Sequence, residues 1–217
     1  MPKQPFNRNR FRDELELAYG GGDLLNDSVH FMDVARWALG VDYPTDVSGM
    51  GRKLFFDDDQ QTPDHMSLTF NYKDKAISYE HRLWVPYRLE GSENTVAAYG
   101  TEGMALMGRW QGGHWEVRVF DSKGAMVSSD REPEADQNSH ARNFIDCIRS
   151  RKTPSADVEI GHVSTAVCHL GNIVARINRT VRFDGAAERI LDDREASKLL
   201  ARDYRSHWST PKGAHSA

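Results

Sequence analysis

Between Asp46 and Ser129 the chain is written in short stretches with β-branched or aromatic residues at alternate positions. A period of two is the signature of strands. The pattern predicts strands over 47–56, 65–72, 76–84, 94–100, 104–110, 115–121 and 125–128. The connections Tyr72-Lys73-Asp74-Lys75, Gln111-Gly112-Gly113 and Ser122-Lys123-Gly124 read as hairpin turns, so neighbouring strands should run antiparallel. So long a run of strands without intervening helices excludes the strand-helix alternation of a parallel, doubly wound sheet.

Helical periodicity flanks this run. Over 27–39 the residues Val29, Met32, Ala35, Trp37, Ala38 and Leu39 recur at near-helical spacing, and Gly40 stands where a helix-ending glycine belongs. Later, 139–151 carries Phe144, Ile145 and Ile148 on one side, and Pro154 separates it from a second helix over 158–178. That helix bears a wide apolar stripe, Ile160, Val163, Val167, Leu170, Ile173, Val174 and Ile177. A strand over 180–183 and a helix over 194–204 complete the chain. The expected class is α+β, a largely antiparallel open-faced sheet with helices packed on one face. The expected organisation is an irregular arm over 1–19, a domain over 20–206 and a loose tail over 207–217. Apolar strand residues of both parities, such as Ala97, Ala98, Tyr99 and Met104, leave the other sheet face to a second subunit, so a homo-oligomer is expected.

With 217 residues, 39% hydrophobic and 28% charged, the chain can bury a sizeable core. Its net charge of -4 lacks the basic excess that nucleic acid requires. Nowhere do 18 apolar residues run together and the N-terminus has no apolar core, so neither a membrane span nor a signal peptide is expected. Cys147 and Cys168 both fall in helical segments, which fits a reducing, cytoplasmic setting.

Several chemistries lack the residues they need. There is no GxxxxGK[ST] loop and no GxSxG elbow. Gly49-Met50-Gly51-Arg52-Lys53-Leu54 has leucine where a dinucleotide loop needs its third glycine, and it lies in a strand pattern. Asp57-Asp58-Asp59 lacks the spacing of a calcium loop, and no structural metal is expected. The stretch Gly20–Gly40, GGGDLLNDSVHFMDVARWALG, is different, because glycines lead into a helix start presenting Asn26, Asp27 and His30. Asn26 and His30, four apart, would share a helix face. Capping alone also accounts for polar residues there, since Asn26, Asp27 and Ser28 are all good N-caps.

The same stretch closely resembles the motif that opens the catalytic helix in the C-terminal domain of the Gfo/Idh/MocA oxidoreductases. The resemblance extends over nearly the whole chain. QPFNRNRF, VDYPTDVSGMGRKLFFDDDQQTPD, HARNFIDCIRSRKTPSADVEIGHVSTAVCHLGNIVARINRT and EASKLLARDYRSHW each resemble segments of that domain in one bacterial branch. It implies an NAD(P)-dependent enzyme acting on a sugar or cyclitol hydroxyl, of which this chain is the substrate-binding and oligomerising part. The glycine-rich loop and the Glu-Lys-Pro motif of the family's Rossmann domain are not in this sequence, so no cofactor is expected on this chain and it is expected to be inactive alone. NAD or NADP is implied only for a full-length enzyme.

Many members carry an Asp followed four residues later by His. Those positions fall here on Asn26 and His30, the two residues the resemblance marks as catalytic. A neutral amide orients a hydroxyl but accepts no proton, so general-base work rests on His30. Asp27, Asp33 and Arg82 are the candidates for holding a small polyhydroxylated substrate. For Asp33 an anchoring role weighs as much as a catalytic one, and Arg82 also reads as half of a surface ion pair. His169 reads as a packed, hydrogen-bonded histidine. The alternative is a non-enzymatic carbohydrate-binding or oligomerisation module derived from the same domain, which asparagine at position 26 mildly favours.

Overall fold

The computed structural model describes residues 20–58, 60–85, 92, 94–110, 114–131 and 137–201. The arm over 1–19, the Gln111-Gly112-Gly113 turn and the tail over 207–217 lie outside these residues. The chain divides into two compact units, one taking residues 1–29, 41–85 and 165–217, the other residues 30–40 and 86–164.

In the first unit, α1 (Asp23–Asn26) leads to the start of α2 (Ser28–Leu39). The strands β1 (Asp46–Arg52), β2 (His65–Asn71), β3 (Ala76–Arg82), β8 (Val181–Asp184) and β9 (Arg189–Leu191) form one sheet, in the order β3-β2-β1-β8-β9. Every pairing in it is antiparallel. Register aligns Val47 with Phe70 and Ile77, Gly49 with Leu68 and Tyr79, and Gly51 with Met66 and His81. One face therefore carries the apolar rows, and Val47, Phe70, Leu68 and Met66 on it are buried. Across them lies the C-terminal part of α4 (Val158–Ile177), with Val167, Leu170, Ile173 and Val174 buried. At Gly171 a side chain would meet Leu24, Leu68 and Phe70 at 2.9–3.0 Å, so the helix sits on the sheet with no room for a methyl group.

The second unit holds a four-stranded antiparallel meander: β4 (Asn94–Tyr99), β5 (Gly103–Arg109), β6 (Trp115–Asp121) and β7 (Met126–Arg131). The β6–β7 turn is built as expected, with the Asp121 carboxylate accepting from the Lys123 and Ala125 amides and Gly124 at φ +80°. From α2, Phe31 stacks on Trp115 with ring centroids 5.9 Å apart. The helix α3 (Gln137–Ser150) also belongs here, and its Phe144, Ile145 and Ile148 are exposed.

The fold is α+β and its described strands are antiparallel throughout. The strands divide between two sheets, whereas periodicity led to one, because alternation marks a strand without naming its neighbour. The short β9 was not anticipated, and Leu200 and Ala201 lie beyond the last helix, α5 (Arg194–Lys198). The stripe on α4 is buried only from Val163 onward; Val158 and Ile160 are exposed. Trp37 on α2 is likewise exposed.

Candidate functional site

The glycine run sets the backbone before α1. Gly22 precedes α1 at φ +72°, a conformation that favours glycine, and a side chain there would press on Thr62 at 2.9 Å. The Gly21 carbonyl accepts from the Asn172 amide of α4 at 2.7 Å, tying the run to the sheet-covering helix. The helix start itself is broken in two. Asn26 closes α1, Asp27 forms a turn (φ -101°, ψ -41°), and α2 begins at Ser28. The break falls where Ser28 turns its hydroxyl onto Asp23, a local bond of the kind that competes with helix hydrogen bonding. Asn26 and His30 therefore do not lie on one uninterrupted helix.

Asn26, Asp27 and His30 are all exposed. The structure leaves Asn26, Asp27 and Arg82 in the first unit and His30 and Asp33 in the second. Asp33 accepts a hydrogen bond from Ser164, which in turn accepts one from the buried Arg36; Arg36 also stands 3.7 Å from the Asp33 carboxylate. This is an anchoring arrangement. Arg82, on β3, donates to Glu80 and is exposed. His169 is exposed rather than packed.

Beneath the helix start lies a polar cluster that the sequence reading did not assemble. The Ser28 hydroxyl donates to Asp23 Oδ2 at 3.0 Å, the Tyr79 hydroxyl donates to Ser28 Oγ at 2.8 Å, and His81 Nδ1 stands 2.6 Å from the Tyr79 oxygen. Burial pushes the Tyr79 hydroxyl well above its ordinary value, and the Asp23 charge adds to this against the Ser28 bond. Burial likewise lowers His81 below the usual histidine value, opposed by Asp23 and by the Pro63 carbonyl. Its Nε2 is buried and has no hydrogen-bonding partner among the described residues. The signal for this cluster was available, since Tyr79 and His81 share strand parity with the core residue Ile77.

Gly49 and Gly51 do not make a phosphate cradle. A side chain at Gly49 would run into the Ser67 carbonyl at 2.2 Å and one at Gly51 into Ala175 and Pro63, so both serve close packing within the sheet and its covering helix. Among the described residues, no dinucleotide loop is present for the cofactor that the resemblance implies, and no group of His, Cys, Asp or Glu is placed to hold a metal ion. No helix among them is long and apolar enough to cross a membrane.

Comparison with known proteins bears on the family and the fold. A family model described as the oxidoreductase family, C-terminal alpha/beta domain (Gfo/Idh/MocA), matches residues 1–210. The chain is 28% identical over 165 residues to scyllo-inositol 2-dehydrogenase (NAD(+)) of Bacillus subtilis, covering 69% of this chain and 46% of that protein. It thus spans about half the length of this curated relative. Among solved structures, the WlbA dehydrogenase of Bordetella pertussis, in complex with NADH and UDP-GlcNAcA, is similar at TM-score 0.56 and 17% identity, over 76% of this chain and 47% of that one. UDP-N-acetylglucosamine 3-dehydrogenase GnnA of Acidithiobacillus ferrooxidans is similar at TM-score 0.57 and 12% identity, over 80% and 51%. At these identities the structures bear on the fold alone.

Proposed function

From the premise that this chain belongs to the Gfo/Idh/MocA oxidoreductases as their C-terminal alpha/beta domain, we propose that it binds and orients a polyhydroxylated sugar or cyclitol for an NAD(P)-dependent dehydrogenase. The observation that carries this reading is the helix start. Its backbone is fixed by Gly22 and by the Asn172 bond, while the side chains of Asn26, Asp27 and His30 stay exposed. Groups held in place and open to water suit recognition of hydroxyls. His30 is the proposed acceptor of a hydroxyl proton, and Asn26 is proposed to orient a hydroxyl through its amide. Asp27 and Arg82 are the proposed hydroxyl-binding side chains, with Asp33 holding α2. The described residues offer the dinucleotide no loop, so the work assigned to this chain is on the substrate, and alone it does not oxidise it.

Saturation-transfer NMR with scyllo-inositol or myo-inositol tests the proposal. Transfer is expected to the chain and expected to be lost in His30→Ala and Asn26→Ala; no transfer from either cyclitol would overturn the reading. Calorimetry with NAD is expected to show no binding at micromolar strength, and binding would refute the assignment of the cofactor to residues elsewhere. Asparagine at position 26 favours a second reading, a carbohydrate-binding module without chemistry. That reading expects Asn26→Asp to leave a full-length enzyme as inactive as before.

A further inference from the structure

The buried cluster beneath the helix start has a definite hydrogen-bond direction. Ser28 has one proton and gives it to Asp23, so the proton between Ser28 and Tyr79 must come from Tyr79. Tyr79 then has none left for His81, and the bond at 2.6 Å is satisfied only by a proton on His81 Nδ1. With Asp23 ionised the order is His81 Nδ1–H to Tyr79, Tyr79 to Ser28, Ser28 to Asp23. This leaves His81 Nε2 without a proton, and among the described residues it makes no hydrogen bond. The His81 side chain is 8% exposed and that of Asp23 20%, so one end of the chain is buried and the other reaches toward water. Nδ1 and Oδ2 are 3.8 Å apart, too far for a direct hydrogen bond, so the connection runs through the two hydroxyls.

We infer that Asp23, Ser28, Tyr79 and His81 form a proton relay, in which one added proton moves between His81 Nε2 and the Asp23 carboxylate. The proton count closes. When a proton adds at Nε2, His81 is an imidazolium and Asp23 remains a carboxylate. Nδ1 then passes its proton to the Tyr79 oxygen, Tyr79 passes its own to Ser28, and Ser28 passes its own to Asp23. Three N–H or O–H bonds break and three form. The result is a neutral Asp23 acid and a neutral His81 protonated on Nε2, with both hydroxyls restored and reversed in direction. The groups acting on His81 from the packed elements are Asp23 on α1, His65 on β2, Asp64 at the β2 start and Tyr79 on its own strand, with the Pro63 carbonyl able to receive an Nε2–H. His65 is fixed by its own bond, Nδ1 to the His81 carbonyl at 3.0 Å, and so stays outside the relay. Cys168 acts on Tyr79. The relay ends at Asp23, in α1 three residues before Asn26.

The inference is tested on this chain without substrate, so its failure is separable from failure of the proposed function. Nitrogen-15 NMR of the histidine rings distinguishes the two tautomers. At pH 7.5 His81 is expected with its proton on Nδ1. In Tyr79→Phe the acceptor is gone, and the proton is expected on Nε2. In Ser28→Ala, Tyr79 loses its acceptor, donates to Nδ1 instead, and the same tautomer change is expected. In Asp23→Asn the His81 titration midpoint is expected to fall by about one pH unit. A wild-type proton on Nε2 would overturn the relay, as would a tautomer unchanged in either folded variant. Thermal unfolding establishes that the variants fold, and Ser28→Ala, which removes a single oxygen, serves if Tyr79→Phe does not.

Discussion

At Asp64 a buried carboxylate shapes the loop after β1. Its Oδ1 accepts from the Leu54 amide at 2.7 Å and its Oδ2 from Phe55 and Phe56 at 3.0 and 2.8 Å. Burial works against the charge, but these three bonds and Lys53 outweigh it, leaving the group below its ordinary 3.8. Asp64→Asn places an amide nitrogen against backbone donors, and a loss of about 2–3 kcal/mol in urea unfolding is expected. Because the folded value is lowered, this stabilisation is present above pH 3.8 and lost as pH falls through the folded value. The acid limb of the wild-type stability curve should therefore be shallower in the variant. His81 follows the same sign for a base. Burial lowers it from 6.5, so its contribution is full above pH 6.5 and lost as pH falls below it. In His81→Asn, whose amide can still donate to Tyr79, melting temperature should drop less between pH 7 and 5. The sequence placed His81 on a strand. It could not pair it with Asp23, because the two are remote in the chain and meet only through a folded sheet.

Among the elements, β1 and α2 depend on glycine for different reasons. Gly40 ends α2 at φ +62° with no described residue within 4 Å of an added side chain, as its place after the periodic run implied. Gly49 combines φ +131° with a Ser67 carbonyl 2.2 Å from the added atom. Alanine at position 40 should cost about 1 kcal/mol, a backbone penalty alone, whereas at position 49 the loss should be about 3 kcal/mol or more. Equilibrium denaturation of the two variants side by side checks this, and equal losses would contradict it. Strand boundaries were legible within a few residues because alternation and turn residues are local: 115–121 appears as β6 (Trp115–Asp121) to the residue. The break at Asp27 was not legible, because it coincides with Ser28 bonding to Asp23 and Tyr79, and Tyr79 is remote in sequence.

For the whole molecule, the β4–β7 sheet carries exposed apolar side chains at the Tyr99 end of a face on which Leu106 is buried. Register places Tyr99, Met104, Phe120 and Met126 in one row, with Tyr99 77% and Met126 59% exposed. We propose that a second copy of this chain covers that row. Tyr99→Asp with Met126→Asp should convert an oligomer to monomer in light scattering at micromolar concentration while leaving the fold intact, and a wild-type monomer would sink the idea. By itself the sequence determined the class and most helix and strand positions to within a few residues, since these rest on local periodicity and turn chemistry, while the family rested on the resemblance of whole segments to a known domain. Tertiary structure decided that the strands form two sheets, that Asp33 is bound to Ser164 and Arg36, and that Tyr79 and His81 reach Ser28 and Asp23. Strand partners and buried polar contacts join residues far apart in the chain, and their energies arise only when packing excludes water from both groups at once.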